Sequence, residues 1–86
     1  MPAVDANPED LEKFASQLTR LQKELEAAVK KTQSSFASLK WNDSERRKFG
    51  DSLDNVLRSV RSASGAIESL PKVLRKKAMH LREFQR

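Results

Sequence analysis

Lys40-Trp41-Asn42-Asp43-Ser44-Glu45 is the stretch on which the reading of this chain turns. It holds the only Trp and lies near the middle of 86 residues. Helix-period sequence runs up to it and away from it. Asn42 and Asp43 are favourable helix N-caps, and Glu45 stands three after Asn42, the spacing of a capping box. The stretch therefore predicts the bend of a helical hairpin, with Trp41 at its corner and the turn at 41–43.

Upstream, Asn7-Pro8-Glu9-Asp10 is a strong helix start. Asn7 can cap, Pro8 suits the first helical position, and the acids face the positive end of the helix dipole. Apolar positions then recur at Leu11, Phe14, Leu18, Leu21, Leu25, Ala28 and Thr32, with Leu39 resuming the series. Steps of three and four make a heptad seam. No Gly or Pro interrupts residues 9–40, so one helix is predicted over about 8–40, behind a flexible tail at 1–6. Ala15, Val29 and Phe36 form a flanking stripe, each four after a seam position.

Downstream, the seam resumes as Phe49, Leu53, Val56, Val60, Ala63, Ile67, Leu70 and Leu74, flanked by Leu57 and Val73. Lys77 falls on it, so the pattern shifts to Ala78, Leu81 and Phe84. A second helix is predicted over about 43–85. Gly65 and Pro71 weaken it, but the apolar period continues through Pro71, which predicts a kink rather than a break. Nothing alternates with period two. The fold class is all-α: a single helical-hairpin domain over 1–86. A chain this small buries only about 60% of its unfolded surface. Its apolar stripes are also wider than one partner helix covers. Self-association or a partner chain is the expectation.

Composition narrows the chemistry. The chain is 37% hydrophobic and 34% charged, with no Cys and hence no thiolate site or disulfide. No apolar run approaches the ~20 residues of a membrane span. Met1-Pro2-Ala3-Val4-Asp5 has neither the basic start nor the apolar core of a cleaved leader. The lone His80 sits among Lys76, Lys77 and Arg82 and reads as a solvated helix-face residue. Glu24 and Glu26 point to different helix faces, and Asp51 and Asp54 are a plain surface pair. There is no Gly-rich phosphate loop. No catalytic residue, metal site or cofactor is expected.

The net charge of +5 is unevenly placed. Residues 1–57 hold nine Lys/Arg against ten Asp/Glu, and residues 58–86 eight against two. The basic run from Lys72 to Arg82 could meet phosphates of nucleic acid or lipid, although such a run is more often a solvated face. Two functional readings follow from the residues alone. One is a structural or adaptor coiled-coil protein. The other is a basic nucleic-acid or membrane-surface binder working through residues 72–86.

Taken together, these features resemble the WXG superfamily, the early-secreted-antigen-like proteins of type VII secretion. The similarity covers nearly the whole chain. Asn7-Pro8-Glu9-Asp10-Leu11 with Phe14 and Leu18 is similar to that family's first helix, and Trp41-Asn42-Asp43 with Phe49 to its motif region. The resemblance implies an antiparallel pair of hairpins, a homodimer or a heterodimer with a paralogous hairpin. The seam residues Leu11, Phe14, Leu18, Leu21, Leu25, Phe36, Leu53, Val56, Val60 and Ile67 would form its core. Trp41, Asn42, Asp43 and Phe49 would be the recognition turn, set beside Leu81 and Phe84 of the partner chain and read by a secretion ATPase. Two departures stand out: Asp43 replaces the motif's glycine, and no Tyr is present to build the family's C-terminal export signal. The implied role is therefore export alongside a partner, or service as chaperone or targeting factor for a larger secreted substrate. The implied location is the bacterial cytoplasm, the exterior reached without a cleaved leader, or both.

Overall fold

The computed structural model describes residues 6–84, and among them every regular element is a helix. α1 spans Pro8–Ala37, α2 Glu45–Ile67 and α3 Leu70–Phe84. α2 and α3 run back along α1, α3 packing on it more extensively than α2 does. The result is a rod of 68 × 17 × 15 Å. The tail expected over 1–6 lies outside the described residues except for Ala6.

α1 starts as its sequence dictates. The Asn7 side chain accepts from the amides of Glu9 at 2.8 Å and Asp10 at 3.4 Å, with Pro8 in the first turn. The helix stops at Ala37, three residues short of the expected end, and Leu39 N–H donates to the Phe36 carbonyl in a tightened last turn. α2 begins at Glu45, two residues later than expected. The Asn42–Glu45 capping box is not formed. Asp43 provides the acceptor instead, taking the Glu45 amide at 2.9 Å on its carboxylate. A carboxylate outcompetes an amide oxygen for an orphan N–H beside the positive end of the dipole.

The second arm is a long bent helix, as expected. Its regular hydrogen bonding lapses between Ile67, where α2 ends, and Leu70, where α3 starts, because Pro71 has no N–H to offer the turn before it. Glu68 N–H bonds the Gly65 carbonyl instead, and Pro71 falls in the first turn of α3, where a missing donor costs nothing. The bend keeps register. Leu57, Ser64, Pro71 and Ala78 are all buried, and they are seven residues apart through both helices. On α1 the matching line is Pro8, Ala15 and Val29, extended by half-buried Gln22 and Phe36.

The two apolar stripes of the sequence thus exchange roles. The line expected to flank the seam, Ala15, Val29 and Phe36, faces the other arm. Leu11, Leu18, Leu25, Leu53, Val60, Ile67 and Leu74 are half-buried at the edge of this interface. Phe14, Leu21 and Val56 stay exposed. The reason is size. Pro8, Ala15, Ser64, Pro71 and Ala78 are small or compact, so the arms approach closely and larger side chains are pushed to the margin. Little core results, and no large side chain is fully buried. The chain exposes 7114 Å², whereas a compact monomer of its mass would expose about 5200 Å².

Candidate interaction surfaces: the corner and the open face

Three aromatic rings close the bend. Phe36 from the end of α1, Trp41 from the turn and Phe49 from the start of α2 lie with ring centroids 5.5 to 6.5 Å apart. Phe36 and Trp41 meet edge to face at 83°. The Trp41 Nε1–H donates to Asp43 Oδ1 at 2.7 Å, the same oxygen that caps α2. One carboxylate therefore fixes both the indole and the helix start. No described residue outside glycine has a positive φ, so the bend is made without any left-handed residue. Asp43 can stand there without strain.

Arg46 completes the corner. Its guanidinium lies over the Phe36 ring, 4.8 Å from the centroid, and its Nη2–H donates to the Phe36 carbonyl at 3.1 Å. That carbonyl belongs to the last turn of α1, so a cation there also suits the negative end of the dipole. Gly50 lies under the same ring. A Cβ built on it would stand 3.2 Å from the Phe36 ring. The sequence reading missed both residues. Each was findable: Arg46 and Gly50 sit seven before Leu53 and Leu57, a cation and a gap on otherwise apolar lines. Asn42 is exposed and makes no hydrogen bond of its own, although it borders the hollow beside Trp41.

Along the rod, the two long edges differ. On one, Arg82 pairs bidentately with Glu12, and Arg61 Nη2–H donates to Gln33 Oε1 at 3.1 Å. The hydrogen bond from Arg82 holds the Glu12 carboxyl below its usual range. These links join positions four after the buried line of α1 to positions four after that of the return arm. In an antiparallel pair, the positions just before each buried line then share the opposite edge. That edge carries Phe14 and Leu21 from α1 and Phe49, Val56, Leu70 and Phe84 from the return arm. All six are exposed, from 41% at Leu21 to 90% at Phe84. The half-buried leucines and valines form the floor between them.

Of the residues named from sequence, Trp41, Asp43 and Phe49 come together at the corner, and the seam residues line the open face. Leu81 is half-buried, and Phe84 projects at the far end of the rod, on the edge opposite the Glu12–Arg82 pair. Within one chain, Trp41 and Phe84 stand at opposite ends. Among the described residues, no cluster of three or more His, Asp or Glu could hold a metal, and no helix is long and apolar enough to cross a membrane. No family model, curated protein or solved structure matches this chain.

Proposed function

We propose that this chain is a small docking protein of a type VII-like secretion system, itself exported or escorting a larger secreted substrate. It works by pairing helix faces and carries out no chemistry. The supporting observation is the open apolar edge: six exposed large side chains on one side of a two-arm rod, over a floor of half-buried ones.

The partner is a second helical hairpin, either another copy or a paralogue, and the product is a four-helix bundle. Antiparallel pairing sets Leu81 and Phe84 of one chain beside Trp41 of the other, making one composite surface from two distant ends. Such a surface would be read by a secretion ATPase. The strain-free Asp43 in the glycine place of the Trp-X-Gly motif is compatible with this assignment.

A second reading is favoured by the corner itself. Trp41 satisfies its N–H on Asp43 and packs on Phe36 and Phe49 of its own chain, as a purely structural bend in an adaptor coiled coil requires. Trp41→Ala separates the two. Under the secretion reading the variant stays helical and paired but loses export and partner engagement in its host. Retained export, or a wild-type chain that sediments as a lone monomer at micromolar concentration and co-purifies with no second hairpin, defeats the proposal.

A further inference from the structure

Nine large apolar side chains are exposed among the described residues. Six lie on the open edge, and Leu39 sits in the turn. Val73 and Met79 remain, 64% and 56% exposed, and pairing along the open edge does not account for them. Both are on α3. They project from its outward side, away from α1 and about 120° apart around the helix. The outward sides of α1 and α2 carry no large apolar residue at all.

The surroundings of these two side chains are as unusual as their exposure. Lys76 lies between them around the helix. Lys72 stands one heptad before Met79, and His80 one heptad after Val73. Lys77 borders the patch on the open-edge side and Arg75 on the other. All five basic residues are exposed. Glu83, one heptad after Lys76, is the only acid in α3 and stands at the C-terminal end of the same face, against the five basic residues.

We propose that the outward face of α3 docks on an anionic lipid surface. Lys72, Lys76 and Lys77 meet the headgroup phosphates and carboxylates, and Val73 and Met79 enter the headgroup layer between them. Attachment is peripheral, with the helix lying in the interface plane. Charge complementarity selects an anionic occupant, and the apolar pair selects a bilayer over nucleic acid. A phosphate backbone gives no return for burying Val73 and Met79, and this face has no aromatic ring to stack a base. The proposal does not rest on hairpin pairing: Val73, Met79, Lys72 and Lys76 lie off the open edge, and only Lys77, on the line of Leu70 and Phe84, borders it.

Vesicle co-sedimentation of the full chain tests it. Vesicles of phosphatidylserine and phosphatidylcholine should bind the protein at low salt, and pure phosphatidylcholine vesicles should not. Binding should vanish at about 1 M salt, where the screening length is ~3 Å. A lysine near an anionic surface contributes about fivefold, so Lys72→Ala/Lys76→Ala should weaken partitioning about 25-fold. Val73→Ser/Met79→Ser should weaken it with the charge unchanged. Both double variants alter exposed residues, and unchanged circular dichroism verifies their fold. No binding to anionic vesicles at low salt overturns the proposal. So does binding indifferent to either double variant. Preference for duplex DNA over vesicles, insensitive to Val73→Ser/Met79→Ser, also overturns it and assigns the face to nucleic acid.

Discussion

The Phe36 ring occupies the space where Gly50 would otherwise carry a Cβ, at 3.2 Å from Cε2 and 3.3 Å from Cζ. This contact lets α1 and α2 converge at the bend. The other glycine, Gly65, has nothing within 4 Å of its would-be Cβ and borders a cavity of about 300 Å³ between the arms. The two glycines should therefore respond oppositely to the same change. Gly65→Ala should raise stability by about 0.5–1 kcal/mol through helix propensity. Gly50→Ala should gain nothing or lose up to about 1 kcal/mol, as the ring is displaced. Urea midpoints at constant m-value measure both.

Asp43 serves two donors from one oxygen. Asp43→Ala removes the cap of α2 and the tether of Trp41 together, and should cost about 1–2 kcal/mol. Asp43→Asn keeps an acceptor and should cost less than half as much. Thermal melts rank the variants. Indole fluorescence should change in the alanine variant and hardly at all in the asparagine one.

The open edge and the buried line make different predictions for the same substitution. Leu21→Asp and Val56→Asp place a carboxylate on an edge already exposed within one chain. They should leave helical circular dichroism intact and shift sedimentation toward the monomer. Val29→Asp puts the charge on the buried line and should cost about 3 kcal/mol or more, with loss of helicity. If the two edge variants sediment like the parent chain, pairing does not use this edge.

The Glu12–Arg82 pair gives a pH signature. Its folded-state carboxyl is lowered, first by the hydrogen bond from Arg82 and then by the nearby positive charge. The pair's contribution is therefore complete above the ordinary carboxylate value of 4.5 and is lost as pH falls through the lowered one. Arg82 stays charged throughout that window. Glu12→Gln should lower the urea midpoint at pH 7, and the difference from the parent chain should close on acidification through this range. Both groups are solvent-accessible, so high salt should shrink the difference at neutral pH as well.

Much of this molecule was legible before its coordinates. Asn7 and Pro8 start α1 because capping is local chemistry, decided within three residues. The bend at Trp41 and the two arms follow from apolar periodicity, which needs only the 100° turn between helical neighbours. The bend of the second arm was legible as Pro71 within an unbroken apolar period, but the two-residue lapse between α2 and α3 was not. Continuous periodicity argues for a continuous helix only while every backbone donor is present.

What the chain order alone could not rank was the pair of apolar lines on each arm. Both have heptad spacing, and the line of larger residues looks like the core. Only the packed hairpin decides that the smaller line, Ala15, Val29, Leu57, Ser64, Pro71 and Ala78, goes inside. Two backbones draw together where side chains are short, and that choice depends on both arms at once. The same holds for Arg46 and Gly50, whose roles exist only once Phe36 has been brought over them from the other helix. Periodicity fixes which residues share a side; which side meets the other arm is settled by how closely the two arms can approach.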